Sequence, residues 1–578
     1  MSVARASSVP TVALKLPRWR ARFVFAWVMV AFAVMLGRAF YLQGVHDDFL
    51  QARGEARFTR VIEVPASRGV ITDRFGEPLA ISTPVESAGV SRSILRMTDA
   101  QASALAKLLD IDVASIRKRV SESSSDFVFL KRQLPPDQAA RVLQLKIPGV
   151  LLEREYRRYY PAGEVAAHLV GFNNVDDNGQ EGIELAYQEW LAGKPGSRRV
   201  MQDKRGQIIE DMESLRVPQQ GRDLALSIDQ KIQYLAYREL KAAVAQHKAK
   251  AGSAVVIDVH TGEVLALVNL PAFNPNNRGR LTGQQTRNRA IIDLYEPGST
   301  MKAFTIAAGL EAGIVSPESI IQTGPGSLTI GPNTIRDVNP LGALTVTQVL
   351  QKSSNVGSAK IALQLPSATL WQSFSDAGFG LPTKVGFPGE GHGRLRAPKT
   401  WRPIEQATMS YGHGLSVTLL QIARAYSIFA TDGEMRPTSI VRVDTPPPAT
   451  RVISAETARR VREMLELATG PGGTAPRAQV AGYRVAGKTG TARKIENGVY
   501  VSRYVASFIG FAPASAPRVI VAVMIDEPSN GAYYGGAVAA PIFSQITAGT
   551  LRMLGVAHDA PFNNIVLPPP GIEVKEEV

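Results

Sequence analysis

The chain reads as an α/β protein: a main unit with strands at its two ends and helices between them, preceded by a mixed α+β stretch and one apolar N-terminal helix. Three observations predict this. First, Gly252–Asp258 and Gly262–Val268 are apolar runs joined at Thr261-Gly262, the pattern of a hairpin. Second, helical periodicity fills much of 300–470, and Val505–Phe511 and Val519–Ile525 then return as buried strands, so one sheet must join distant segments. Third, an apolar run of 15 residues, Phe23–Gly37, lies near the N-terminus. At 578 residues the chain is too long for one ordinary domain, and length alone suggests roughly three or four units.

Taken in order, the N-terminus comes first. Arg5, Lys15, Arg18, Arg20 and Arg22 precede the apolar run, and no acid occurs among the first 22 residues. Extending the run through Arg38 to Leu42 gives 20 residues, the length of a bilayer span if Arg38 snorkels to the interface. No small-x-small cleavage site follows, so the expectation is an uncleaved anchor rather than a signal peptide. The cations place the N-terminus in the cytoplasm and everything after about residue 43 beyond the inner membrane.

From about 43 to 220 the sequence is charged and mixed. Thr98, with Gln101 three residues on, opens a predicted helix to Leu109 with Leu105, Leu108 and Leu109 on one face. Nothing here gathers nucleophiles, bases or metal ligands, and the region reads as a spacer or docking module. After Pro218 the strand and helix patterns of the main unit begin, with Pro446-Pro447-Pro448 a surface connection. Leu567–Val578 is a proline-rich, then charged tail, expected to be disordered.

A hydrophobic content of 45% with 20% charged residues describes a folded chain. The net charge of +14 fits a solvated basic surface or a polyanionic neighbour such as a membrane face or anionic cell-wall polymer. No helix-turn-helix, zinc spacing or aromatic-plus-basic platform supports nucleic acid. The absence of cysteine excludes disulfides and thiolate catalysis.

Three strings carry chemistry: Ser299-Thr300-Met301-Lys302, Ser353-Ser354-Asn355 and Lys488-Thr489-Gly490. Glu296-Pro297-Gly298 turns the chain, and a helix follows, so Ser299 stands where free N–H groups favour negative charge on an attacking oxygen. Lys302 lies one turn on, over the same face. Ser353-Ser354-Asn355 falls on a helix-to-helix loop, where Ser353 could relay a proton and Asn355 hold an amide, or where Asn355 simply ends a helix. Lys488-Thr489-Gly490-Thr491 reads as an edge strand offering one ammonium and threonine hydroxyls to a carboxylate, with Gly490 leaving room for substrate. Together these supply a nucleophile, a base, a polar bridge and a cationic anchor, a kit for acyl transfer through a serine ester. A second serine-x-x-lysine, Ser115-Ile116-Arg117-Lys118, has no partner strings and reads as a solvated helix face.

An ordinary lysine with a pKa of about 10.4 is neutral at pH 7 only about one part in 2,500. A useful base needs a fall of roughly two to three units, about 3–4 kcal/mol. A like charge about 4 Å away at an effective dielectric near 20 contributes on the order of 4 kcal/mol. Lys488 is the candidate for part of that effect, and burial of Lys302 for the rest. Other kits are missing: no Gly-x-Ser-x-Gly elbow, His-Glu-x-x-His pair or phosphate loop occurs, and the seven histidines are scattered.

The three strings resemble those of the penicillin-binding protein and serine β-lactamase superfamily, for which this motif set is a known signature. Arg68-Gly69-Val70-Ile71-Thr72-Asp73-Arg74-Phe75-Gly76, Tyr159-Tyr160-Pro161-Ala162-Gly163 with His168 and Gly171, and Glu181-Gly182-Ile183-Glu184 resemble motifs of the class B members. Tyr411-Gly412-His413-Gly414-Leu415-Ser416-Val417-Thr418 resembles the division-specific type more than the elongation-specific one. The resemblance implies a transpeptidase domain, an antiparallel sheet flanked by helices, on an elongated α+β pedestal with one transmembrane helix. The implied boundaries are a cytoplasmic tail at 1–22, an anchor at 23–42, a dimerisation-type pedestal at 43–220, the catalytic domain at 221–560 and a tail at 561–578. It implies a peptidoglycan D,D-transpeptidase that cross-links stem peptides in septal wall synthesis and is inhibited covalently by β-lactams. Ser299 is then the nucleophile, Lys302 the base, and Ser353 and Asn355 assist. Lys488, Thr489 and Thr491 bind the substrate carboxylate, Gly490 lets substrate approach the strand, and Tyr504, Tyr533 and Tyr534 form an aromatic wall. No cofactor or metal is implied; the membrane glycan polymerase FtsW and other division proteins are implied partners. The absence of a Glu-x-x-Leu-Asn string favours transfer over hydrolysis. An elongation-type enzyme and a penicillin-sensing membrane receptor remain as alternatives, the latter disfavoured by the short cytoplasmic segment.

Overall fold

The computed structural model describes residues 17–45, 59–202, 208–279, 281–569 and 574–576. Two units emerge from the packing: one comprises 1–65, 86–155 and 195–219, the other 66–85, 156–194 and 220–578.

In the first unit, a helix spans Arg18–Phe40 and continues as a π turn through Val45. It is long and apolar enough to cross a bilayer, and none of its side chains is buried by protein. Strands Thr59–Val64, Gly196–Gln202 and Ile208–Arg216 form an antiparallel sheet. A small core gathers Val90, Leu105, Leu109, Ile116, Leu130 and Val142 beneath three short helices. The helix Asp99–Leu109 carries the expected capping box: Thr98 accepts from the Gln101 amide, and the Gln101 side chain reaches back to the Thr98 N–H. In the helix Val113–Glu122, Ile116 is buried while Arg117, Lys118 and Arg119 face solvent.

The second unit is built on a five-stranded antiparallel sheet. Its order is Val264–Leu270, Ala251–Asp258, Val519–Asp526, Val499–Ala512 and, at the edge, Ala486–Glu496. The central strands are apolar on both sides because both faces are covered. Ala254, Val256, Val521 and Val523 pack with the helices Gln230–Gln246 and Gly535–Met553. On the opposite face Val255, Ile257, Ile520 and Ala522 pack against the helices between 289 and 469. Alternation along the central strands thus divides their apolar residues between two cores. Leu419–Ala430 lies almost wholly inside the second, and its Tyr426 hydroxyl donates to the Thr300 carbonyl at 2.8 Å.

Segments 66–85 and 156–194, which belong to this unit, are joined to each other by buried charge. The Arg68 guanidinium meets Glu184 at 2.5 Å, and Arg158 meets the other oxygen at 2.7 Å. Arg68 also donates to Gln188 and to the Glu184 carbonyl. A shared carboxylate between two fully buried guanidiniums is costly to break, because loss of one partner strands the others without water. Just ahead of the tail, the chain is tied down: Asn564 Nδ2 donates to the Val480 and Tyr483 carbonyls, and Gln479 bonds both backbone groups of Val566.

Candidate active site

Gly298 takes a left-handed φ of 58°, and a 3₁₀ turn over Gly298–Met301 leads into the helix Lys302–Glu311. Side chains three apart eclipse in a 3₁₀ turn. Ser299 and Lys302 therefore stack: Lys302 Nζ donates to Ser299 Oγ at 2.8 Å. Lys302 is completely buried and Ser299 is 4% exposed.

Ser353 meets the same amine. Lys302 Nζ donates to Ser353 Oγ at 3.0 Å and to the Ser353 carbonyl. Ser353 itself, rather than Asn355, ends the helix Val346–Lys352, with a left-handed φ of 65°. A non-glycine residue in that region is uncommon, and the surrounding bonds hold it there. Ser354 caps the next helix by accepting from the Gly357 amide at 2.8 Å. Its hydroxyl donates to Asp337 at 2.6 Å, and the other Asp337 oxygen accepts the Val356 amide at 2.9 Å. Asn355 Nδ2 donates to the Arg336 carbonyl at 3.4 Å.

The strand Ala486–Glu496 lies at the sheet edge beside this pair. Gly490 was expected to spare room for substrate, but the protein itself fills that room. A Cβ there would lie 2.7 Å from the Pro297 carbonyl and 2.6 Å from Ser507 Oγ, so glycine lets the nucleophile's turn approach the strand. A Cβ on Gly298 would likewise sit 3.5 Å from the Thr491 amide nitrogen, placing the two backbones side by side. Lys488 is fully buried, and its Nζ donates to Thr489 Oγ1 at 3.2 Å and Thr474 Oγ1 at 3.3 Å. Thr491 Oγ1 accepts the Gly535 amide at 3.0 Å. The same hydroxyl donates to Glu576 at 2.9 Å, whose second oxygen accepts the Gly536 amide.

Tyr504 and Tyr533 stack with centroids 4.3 Å apart, and Tyr533 leans on Tyr534 at 4.5 Å with the two hydroxyls hydrogen-bonded. Tyr534 directly precedes Gly535, which ties this aromatic group to Thr491. The nucleophile's turn, the strand of Lys488–Thr491 and the three tyrosines thus meet around one sheet edge, Ser353 joins them through Lys302, and Asn355 begins the helix that follows. A cavity of about 430 Å³ beside them includes Glu296, Arg493 and Lys494 but neither Ser299 nor Lys302.

Three contributors escaped the sequence reading. Asp337 and Thr474 sit in unremarkable local strings, and Glu576 in a charged tail. His413, one of seven scattered histidines, packs between Tyr411 and Tyr500. Desolvation, then the charges of Lys302 and Arg493, pushes its pKa down to about 4. Tyr500 also donates to Glu296 at 3.0 Å, and Glu296 accepts the Gly414 amide at 2.8 Å. Burial pushes the Glu296 carboxyl up against the pull of these two donors.

A serine and lysine eclipsed at the head of a buried helix, with a lysine-threonine strand alongside, place the chain among the active-serine acyl-transfer proteins. Residues 252–548 match the penicillin-binding protein transpeptidase domain and residues 63–226 the penicillin-binding protein dimerisation domain, so the chain belongs to the class B penicillin-binding proteins. It is 44% identical to the peptidoglycan D,D-transpeptidase FtsI of Escherichia coli K12, over 94% of this chain and 93% of that protein. Identity to the probable peptidoglycan D,D-transpeptidase PenA of Neisseria gonorrhoeae is also 44%, over 94% of each. The transpeptidase domain of penicillin-binding protein 3 from Burkholderia pseudomallei superimposes with a TM-score of 0.54 at 49% identity, covering 58% of this chain and 98% of that one.

Proposed function

We propose that this chain is a peptidoglycan D,D-transpeptidase of the division type, acting through an acyl-enzyme on Ser299. The observation that carries the assignment of roles is the contact of one buried amine with two hydroxyls, Lys302 Nζ with Ser299 Oγ at 2.8 Å and with Ser353 Oγ at 3.0 Å. In its neutral form Lys302 takes the Ser299 proton as Oγ attacks the penultimate D-alanine carbonyl of a stem peptide. The backbone N–H groups of Ser299 and Thr491 donate to the developing oxyanion, a feature worth ~10²–10³ in rate. Collapse breaks the peptide C–N bond, and the proton held by Lys302 passes through the Ser353 hydroxyl to the departing D-alanine nitrogen. An amine of a neighbouring stem then attacks the ester carbonyl and gives its proton to Lys302, which returns it to Ser299 Oγ as the ester C–O bond breaks and the cross-linked product leaves.

Lys488, Thr489 and Thr491 hold the terminal carboxylate through the first step, Asn355 orients a substrate amide, and the tyrosines 504, 533 and 534 wall the pocket. β-Lactams present the same carboxylate and a strained carbonyl, and they acylate Ser299 without a second step. The apolar helix supports a single span with the catalytic unit outside the inner membrane, where it meets peptidoglycan and, in our reading, the polymerase FtsW and other division proteins. Labelling by a fluorescent penicillin tests the assignment: wild type should label, and Ser299→Ala should not. Equal labelling of both would remove Ser299 from the mechanism.

A further inference from the structure

The three residues that would hold the substrate's terminal carboxylate, Lys488, Thr489 and Thr491, already face a carboxylate of this chain. Glu576 is 3% exposed although its neighbour Lys575 faces solvent. One of its oxygens accepts the Thr491 hydroxyl at 2.9 Å, the other accepts the Gly536 amide, and the Lys488 charge acts on it together with the Thr489 hydroxyl. Thr491 Oγ1, which also accepts the Gly535 amide at 3.0 Å, carries a single proton, so this hydroxyl cannot donate to two carboxylates at once. A buried carboxylate needs such compensation: burial pushes the Glu576 carboxyl up, and Lys488 with the three hydrogen-bond donors opposes the shift.

We propose that the C-terminal segment is an intramolecular ligand of the active site, with Glu576 standing where the carboxylate of a stem peptide or a β-lactam must bind. The inference rests on the transpeptidase reading for the identity of the displaced ligand. The occupancy itself stands on the contacts. The segment is also delivered to the site. Val566 is fixed by two bonds to Gln479, close in sequence to Thr474 and Lys488. The ten peptide steps from Val566 to Glu576 can span up to about 35 Å. A tether of that length gives a local carboxylate concentration on the order of millimolar, enough for a weak ligand to compete. Substrate must displace the tail, so its apparent affinity falls by the fraction of time the cradle is open.

The test is the second-order acylation rate of the full-length, detergent-solubilised protein by a fluorescent penicillin. A tail bound for about 70–90% of the time predicts a rise of roughly three- to tenfold in Glu576→Gln, with Lys575→Ala unchanged. The peptide Val-Lys-Glu-Glu-Val, added in trans, should return the Glu576→Gln rate toward wild type. Equal rates in wild type and Glu576→Gln would overturn the proposal, and so would an acceleration by Lys575→Ala as large as that by Glu576→Gln. Failure of the transpeptidase reading looks different: Ser299→Ala would then label like wild type, whatever the tail does.

Discussion

Ser115–Lys118 and Ser299–Lys302 spell the same serine-x-x-lysine spacing in one chain, and their surroundings give them different fates. In the first, the helix turns Ile116 inward and leaves Lys118 in water. In the second, Gly298 sets a 3₁₀ turn, the helix behind it is buried almost throughout, and Lys302 has no exposed surface. A lysine in water keeps its hydration and its proton. A lysine held among hydroxyls is positioned to exchange one. The spacing supplies an adjacency, and the chemistry comes from what excludes water and what the amine touches.

The comparison breaks most sharply by swapping each lysine in turn. Lys302→Ala should lower penicillin acylation by about 10²–10⁴, the range for loss of a positioned general base. Lys118→Ala and Ser115→Ala should stay within about twofold of wild type. A loss of labelling in Ser115→Ala would mean that the first copy carries chemistry after all.

Next in size is the support behind the second copy. Asp337→Ala leaves the Ser354 hydroxyl and the Val356 amide without their acceptor, a cost of about 1–3 kcal/mol in thermal or denaturant unfolding. It should also slow acylation, because the loop that presents Ser353 loses its clamp. Asp99, which pairs with Arg117 of the Ser115 helix at the surface, should be replaceable with less than about 0.5 kcal/mol of change. A smaller effect, about 1 kcal/mol or less, is expected of Ser353→Gly on stability, since glycine accepts a φ of 65° freely. The same variant loses the hydroxyl between Lys302 and the leaving group, and single-turnover acylation should fall while unfolding barely moves.

What could be read from the sequence follows the same division. The hairpin at 252–268, the edge strand at Lys488 and the capping box at Thr98 rest on local rules of period and turn chemistry, and each is present. The three strings were visible as types, because nucleophile, base and anchor are few. Asp337 was invisible since its meaning lies in bonds to Ser354 and Val356, 17 and 19 residues on. Glu576 was hidden by composition: a charged tail reads as solvated, and only tertiary placement reveals that its carboxylate meets four complementary groups. Gly490 was legible as a close approach, but not what approaches; the nucleophile's own turn occupies the space. Arg68 and Glu184 lie 116 residues apart, and no local pattern pairs them.

The smallest expected effect is a titration shift, and it reads the second lysine directly. His413 has its pKa pushed down to about 4, first by desolvation and then by the positive charges of Lys302 and Arg493. Because the Lys302 charge helps to push it down, Lys302→Met should let the His413 pKa climb, as followed by its ring-proton resonances. Lys118→Met should leave it where it was. Linkage gives the stability consequence. The folded pKa lies below the ordinary value of 6.5, so between pH 6.5 and 4 the unfolded chain binds more protons, and His413 lowers stability progressively as pH falls through that window. Removing the Lys302 charge narrows the gap and should flatten the acid side of the unfolding profile. An unchanged His413 titration in Lys302→Met would place the amine out of electrostatic reach of the ring, and with it would go the picture of a charge enclosed among Ser299, Ser353 and the histidine loop.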